Sequence, residues 1–301
     1  MLIAQYIANY YNRCFNAGYL VIILAMLAGL LYQHYAGLAG LSGQQAAILP
    51  QWLHRYALYS VPFIAAYLLQ PLFFGQQKFL HQKRFWILML LAPAFFTFRV
   101  QADLSAFLST DHEANPANQV YTFQLLIRSL ALILPTALCW YYMDRRASHG
   151  YGLRKTVNLP VYFLLILIMV PLLSVASFNP AFVEQYPRAF KAIGSSQPGN
   201  LAQWIYFELV YAFNFLSIEF FFRAFLILAF IHLSGPHAII PAACFYCCIH
   251  LDKPLAEAIS SFFGGWLLGI ICYYSKSIWG GFLIHVGIAW LMELFAWLQH
   301  Q

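Results

Sequence analysis

A chain of 301 residues that is 62% hydrophobic, 19% aromatic and only 9% charged, with a mean hydropathy of +0.67, lies far from a water-soluble domain, in which about a quarter of the residues are charged. That excludes a soluble globular fold and makes the bilayer the solvent for most side chains. The formal net charge of +6 comes from 16 Lys and Arg placed singly or in short juxtamembrane clusters, so it reads as membrane topology and excludes a nucleic-acid partner.

The first twelve residues lack the succession of basic, apolar and small-residue regions of a removable signal peptide, so the N-terminus is expected to be retained. A helix needs about 20 apolar residues to cross the hydrocarbon. Nine runs approach that length: 18–38, 56–75, 85–98, 120–143, 159–178, 201–231, 238–250, 255–274 and 278–298. The third and seventh are short enough to be half-spans or tilted segments. The sixth, at 31 residues, must tilt, extend beyond the membrane or break, and the turns Pro198-Gly199-Asn200 and Ser234-Gly235-Pro236 mark its limits.

Short cytoplasmic loops collect positive charge. With nine spans and the N-terminus inside, Arg13, Lys78, Lys83, Arg84, Arg145, Arg146, Arg154, Lys155 and Lys276 are cytoplasmic, whereas Arg55, Arg99, Arg188, Lys191 and Lys253 are outside. Asp103, Asp111 and Glu113 share an outer loop, and the polar stretches 194–200 and 148–158 read as loops. Merging the third or seventh run with a neighbour gives eight spans. The expectation is an all-α, polytopic helical bundle of eight or nine transmembrane helices in a bacterial inner (cytoplasmic) membrane, N-terminus cytoplasmic. It forms one continuous membrane domain, with apolar spans over 1–200 and nearly all the intramembrane charge in 201–298. The six cysteines fall mostly inside apolar runs, which argues against a disulfide framework.

An ionisable side chain at the bilayer centre costs about 2.5 to 3.5 kcal/mol even on a lenient scale, so each needs a reason. The sixth run holds Glu208, Glu219 and Arg223, which helical geometry puts on one face. The structural reading is a self-neutralising i,i+4 pair of Glu219 with Arg223. Of the ten histidines, only His250 and His285 belong to the apolar helices of the last third. One carboxylate with two imidazoles can activate water and hold an oxyanion or a metal, which favours hydrolysis.

Three segments then act together. Ser217-Ile218-Glu219-Phe220-Phe221-Phe222-Arg223-Ala224-Phe225-Leu226, Tyr246-Cys247-Cys248-Ile249-His250 and Ser277-Ile278-Trp279-Gly280-Gly281-Phe282-Leu283-Ile284-His285 resemble the three motifs of the CPBP, or CAAX-protease-like (Abi), intramembrane endopeptidases. Those motifs are Glu-Glu-x-x-x-Arg, an aromatic residue four before a His, and a His four before Asn or a similar polar residue, each on its own helix. The first segment has the single-Glu Phe-Phe-Phe-Arg form, and Asp252-Lys253-Pro254-Leu255-Ala256-Glu257 is similar to the continuation found in that subgroup. The resemblance spans 201–298. It implies hydrolysis of a peptide bond in a membrane-associated protein or peptide, with Glu219 as general base, Arg223 and Tyr246 supporting it, and His250 and His285 polarising the carbonyl and stabilising the oxyanion. The mechanism it implies needs no metal; a zinc enzyme would use the same Glu219, His250 and His285. Two positions depart from the pattern, Ile218 where the first Glu would stand and Ala289 where the polar partner of His285 would stand. Glu257 either compensates or caps its helix.

The pair Gly265 and Gly269 reads as a close-packing GxxxG. Cys244, Cys247 and Cys248 read as small helix residues rather than zinc ligands, since Cys244 and Cys247 point about 60 degrees apart. Arg128 is alone in its span, with Glu208 and Glu293 as candidate partners. The rival functions are an inactive family member that binds a membrane partner and, ranked lower, a proton-coupled carrier, which would show two comparable broken-helix halves.

Overall fold

The computed structural model describes residues 2–37, 48–75, 78–102, 117–145, 150–153, 159–193 and 201–301. The described chain is a bundle of helices: α1 (Leu2–Cys14), α2 (Ala17–Tyr35), α3 (Ile48–Phe74), α4 (Lys83–Gln101), α5 (Ala117–Cys139), α6 (Leu159–Ala176), α7 (Pro180–Gln185), α8 (Arg188–Ile193), α9 (Leu201–Glu219), α10 (Ile239–Cys248), α11 (Leu255–Ser275) and α12 (Trp279–Gln299). One isolated antiparallel bridge, Leu153 with Ser277, is the sole β pairing among the described residues. The outer loop with Asp103, Asp111 and Glu113, the loop 194–200, and residues 148–149 and 154–158 lie outside them.

Seven described helices are long and apolar enough to cross a membrane: Ala17–Tyr35, Leu49–Phe74, Val120–Asp144, Leu159–Ala176, Leu201–Leu228, Leu255–Ser275 and Trp279–Gln299. They correspond to seven of the nine expected runs. The third run is α4, a 19-residue helix with Lys83, Arg84 and Arg99 at its ends. The seventh is α10, only 10 residues long and buried at every position. At 1.5 Å per residue it spans about 15 Å, half of the hydrocarbon, so it is an interior half-span enclosed by protein.

The exposed apolar side chains sit where lipid would be: Phe163, Leu164, Leu167, Ile168, Leu172 and Val175 of α6 all face outward. The centre of the bundle is aromatic. Phe221 and Phe222 pack on Phe96 of α4, each with ring centroids 5.6 Å away, and on Phe245 of α10 at 5.8 and 5.5 Å, distances at which edge and offset ring contacts are favourable.

The long sixth run resolves by a change of winding. Its α-helix ends at Glu219 and continues as a π-helix over Phe220–Leu228, closed by Ala229 N–H bonding to the Ala224 carbonyl at 3.1 Å. Short π segments are frequent at functional sites; this one starts immediately after Glu219 and contains Arg223.

The GxxxG of α11 seats α10, as its spacing suggested. A Cβ on Gly265 would lie 3.1 Å from Cδ1 of Tyr246, and one on Gly269 would lie 2.9 Å from Cγ2 of Ile239. The described part of loop 148–158 docks on the start of α12: Ile278 N–H donates to Gly152 O at 3.0 Å, and Asp144 accepts from the Tyr151 hydroxyl at 2.7 Å while pairing with Arg84.

Three helices were not anticipated. The N-terminal α1 lies against α11, with Tyr10 and Tyr11 centroids 6.1 and 5.8 Å from Trp266. The other two, α7 and α8, have six residues each; Asn179 caps the first, accepting from Ala181 N–H at 2.9 Å, with Pro180 at its first position.

Candidate active site

Three elements meet at Glu219: the end of α9, the half-span α10 and the first turns of α12. Glu219 and Arg223 are both 0% exposed, with Arg223 Nε 3.4 Å from Glu219 Oε2. The guanidinium carbon lies 5.2 Å from the centroid of Tyr246, a cation–π contact, while Nη1 and Nη2 have no hydrogen-bond partner among the described residues. The pair expected from i,i+4 spacing is therefore present, in full burial.

The other carboxylate oxygen turns to α12. His285 Nδ1 stands 3.1 Å from Glu219 Oε1. A carboxylate only accepts, so Nδ1 carries the proton and Nε2 is left to accept. The partner of Nε2 is the Tyr246 hydroxyl at 2.8 Å. Tyr246 also binds the second histidine, since its backbone carbonyl accepts from His250 Nδ1 at 2.8 Å and the two rings lie 4.6 Å apart. One chain of contacts thus runs Arg223, Glu219, His285, Tyr246, His250. The two histidines are not equivalent: His285 touches Glu219 directly, whereas His250 is joined to it through Tyr246 and makes no Nε2 hydrogen bond among the described residues.

Gly281 makes this approach feasible. A Cβ at that position would collide with Glu219 Oε2, and one on the neighbouring Gly280 would collide with the Tyr162 ring of α6. The sequence reading passed over Gly281; the cue was two adjacent glycines one turn before His285 in a membrane helix, where small residues admit a neighbouring helix.

Residues 200–291 match the family profile of the Type II CAAX prenyl endopeptidase Rce1-like proteins. This third of the chain is similar to the CAAX-protease-like family. No curated protein and no solved structure matches the chain. The matched segment includes Glu219, Arg223, Tyr246, His250, Gly281 and His285, and the spanning helices make this an integral membrane protein with a segment similar to the CAAX-protease-like endopeptidases.

Where the segment departs from the motif pattern, the packing is apolar. Ile218 is 6% exposed in the main core, and Ala289 is 4% exposed among Leu125, Ala189, Ala192, Phe207, Val210 and Tyr211, surroundings that offer a polar substitute no partner. Glu257 sits in the first turn of α11, where an acidic residue suits the helix dipole. Its contacts there are the Tyr186 hydroxyl at 3.3 Å and Lys253 Nζ at 3.5 Å, so it does not replace a missing partner of His285. Glu208 is also apart from the cluster, eleven residues or about 16 Å up the helix from Glu219, with Oε2 unpartnered among the described residues. Among the described ion pairs, Arg128 joins neither Glu208 nor Glu293; Glu293 instead accepts the Arg188 and Ala189 backbone N–H groups at 2.9 and 3.0 Å, fixing the start of α8.

Among the described residues, no three His, Cys, Asp or Glu side chains are grouped to hold a metal ion. Of the set Glu219, His250 and His285, both nitrogens of His285 are engaged inside the protein, whereas His250 has Nδ1 tied to its own helix. All six cysteines are free and buried; Cys247 donates to Ala258 O at 3.3 Å and Cys272 to Arg223 O at 3.7 Å.

Proposed function

We propose that the chain hydrolyses a peptide bond of a membrane-associated protein or peptide, with Glu219 and His285 acting together as the base. The observation that carries this reading is the 3.1 Å contact between Glu219 Oε1 and His285 Nδ1, made by a carboxylate that Arg223 holds in full burial. With Glu219 at 0% and the His285 side chain at 16% exposure, the imidazole stands between the carboxylate and the reacting water. Glu219 fixes its tautomer and stabilises the imidazolium that forms. The Tyr246 oxygen covers Nε2, so the water proton passes to that oxygen as the Tyr246 proton moves to Nε2. The hydroxide adds to the carbonyl carbon, and the proton returns by the same route to the departing amine. Both Nδ1–H groups are spent inside the protein, so neither neutral ring has an N–H left for an oxyanion; His250 Nε2 is instead suited to orient the water. We place this chemistry in a bacterial inner membrane, with the N-terminus cytoplasmic as the Lys/Arg bias argues.

The second reading is an inactive family member that binds a membrane partner. Its support is the apolar burial of Ile218 and Ala289. Processing in cells separates the two: His250→Ala and His285→Ala should insert normally and accumulate uncleaved precursor, and unaltered processing in both would leave partner binding as the better account. Tyr246→Phe keeps the ring under Arg223 but removes the proton relay, and should lower turnover roughly a hundredfold; turnover within about twofold of wild type would mean that water reaches His285 without the relay. A strong chelator should leave cleavage unchanged, whereas activity lost and then restored by zinc would overturn the metal-free mechanism.

A further inference from the structure

The short strap Gly150–Leu153 lies outside the matched segment, yet it touches both elements that meet at Glu219. Its first three residues all stand in the left-handed region, at φ of 49, 51 and 76 degrees. That conformation is costly for any residue with a Cβ and persists only where the surroundings hold it. Tyr151 is so held: it is fully buried, and its hydroxyl donates to one oxygen of Asp144 while Arg84 pairs with the other. Among the described residues one further non-glycine residue has a positive φ, Lys276 at 56 degrees. It immediately precedes Ser277, the residue that pairs with Leu153 of the strap. Both left-handed non-glycine residues are thus gathered at one junction.

The strap meets the π segment at its two ends. At the first residue, the Phe220 ring lies 6.1 Å from the Tyr151 ring. At the last, a Cβ on Gly152 would lie 2.9 Å from Cδ1 of Leu228. Arg84 Nη2 also donates to the carbonyl of Ala229 at 3.4 Å, the residue whose N–H closes the π winding. The strap holds the start of α12 as well. The same Cβ on Gly152 would lie 3.0 Å from Cγ2 and 3.2 Å from the backbone nitrogen of Ile278, which donates its hydrogen to Gly152 O. Next to it, Trp279 Nε1 donates to Leu153 O at 3.2 Å.

Glu219 immediately precedes the π segment, and His285 follows Ile278 by seven residues of sequence. Packed helical elements move as stiff bodies and transmit strain. A shift of α12 against the π segment at this junction is therefore carried to the 3.1 Å contact between Glu219 and His285. We propose that Tyr151 and Gly152 are positioning residues for that contact: the strap sets the register of α12 on the π segment, and only a glycine fits between Leu228 and Ile278. Its catalytic consequence rests on the reading of Glu219 and His285 as the base.

The test reads the histidine directly. Full-length protein carrying 15N-labelled histidine is placed in phosphatidylcholine nanodiscs, and the His285 ring nitrogens are identified by their loss from the NMR spectrum of His285→Gln. Wild type should show a single form with Nδ1 protonated and hydrogen-bonded. Gly152→Ala should shift that resonance or split it between two forms, and should lower processing about ten- to a hundredfold. Adding Leu228→Ala, which deletes the atom the new Cβ meets first, should recover part of both readings. Gly75→Ala is the matched control, left-handed at φ of 63 degrees but with nothing within 4 Å of the added Cβ. It should melt lower than wild type and leave both readings unchanged. If Gly152→Ala fails to fold, Tyr151→Phe takes its place: it keeps the ring on Phe220, loses the bond to Asp144, and should move the resonance less and lower processing about three- to tenfold. An unchanged His285 resonance in the folded strap variant overturns the proposal, and so does an equal change in Gly75→Ala. The NMR reading needs no cleavage, so a wild type that processes nothing while its His285 resonance responds to the strap would fail the protease reading and keep the positioning role.

Discussion

Glu219→Gln is expected to abolish cleavage, by about a thousandfold or more, and to lower stability by about 3 to 5 kcal/mol. Both effects come from one carboxylate. Oε1 fixes the His285 tautomer, and Oε2 is the only anionic partner of Arg223 among the described ion pairs. Glutamine keeps the volume but offers no charge, leaving Arg223 buried at 0% exposure with three unpartnered nitrogens. Loss of activity alone would therefore be ambiguous between chemistry and unfolding. The double variant Glu219→Gln with Arg223→Met separates them, because replacing both members of a buried ion pair by well-packed uncharged groups is often neutral or stabilising. That variant should regain a wild-type melting temperature and remain unable to process its substrate. A double variant that is both stable and active would make the Glu219–Arg223 pair purely structural and would place the base elsewhere.

What the sequence disclosed follows from how far along the chain each interaction reaches. The long apolar runs are legible because the bilayer imposes a length, and the pairing of Glu219 with Arg223 is legible because helical geometry brings residues four apart together. The half-span α10 was seen as a short run but its role was not, since ten apolar residues read alike whether protein or lipid surrounds them. Neither α7 nor α8 shows a periodicity, because six residues complete fewer than two turns. The switch to π winding after Glu219 leaves no mark in Phe-Phe-Phe-Arg. The bond from Tyr246 to His285 crosses 39 positions, and without coordinates the motif tyrosine is only an aromatic residue before a histidine. Which nitrogen each ring has already committed is equally invisible in the sequence, and the roles proposed for His285 and His250 depend on it.

Gly281→Ala, which adds a single methyl group, tests the same geometry from the opposite helix. The new Cβ would occupy the space of Glu219 Oε2, and the carboxylate cannot easily yield, since Arg223 and His285 hold its two oxygens. Nor can α12 readily withdraw as a body, because Gly280 and Gly287 already press it against Tyr162 and Ile166 of α6. Forcing a methylene into such a packed core costs about 1 to 3 kcal/mol. The accommodation must also pull Glu219 from His285 or turn α12, so processing should be lost even where the protein still folds. Gly264→Ala in α11 is the matched control: it has nothing within 4 Å of its added Cβ, and alanine is the better helix former by about 1 kcal/mol, so it should melt no lower than wild type and cleave normally. If Gly281→Ala melts and cleaves like Gly264→Ala, then Glu219 does not face the first turn of α12, and the contact with His285 on which the proposed mechanism depends is not made.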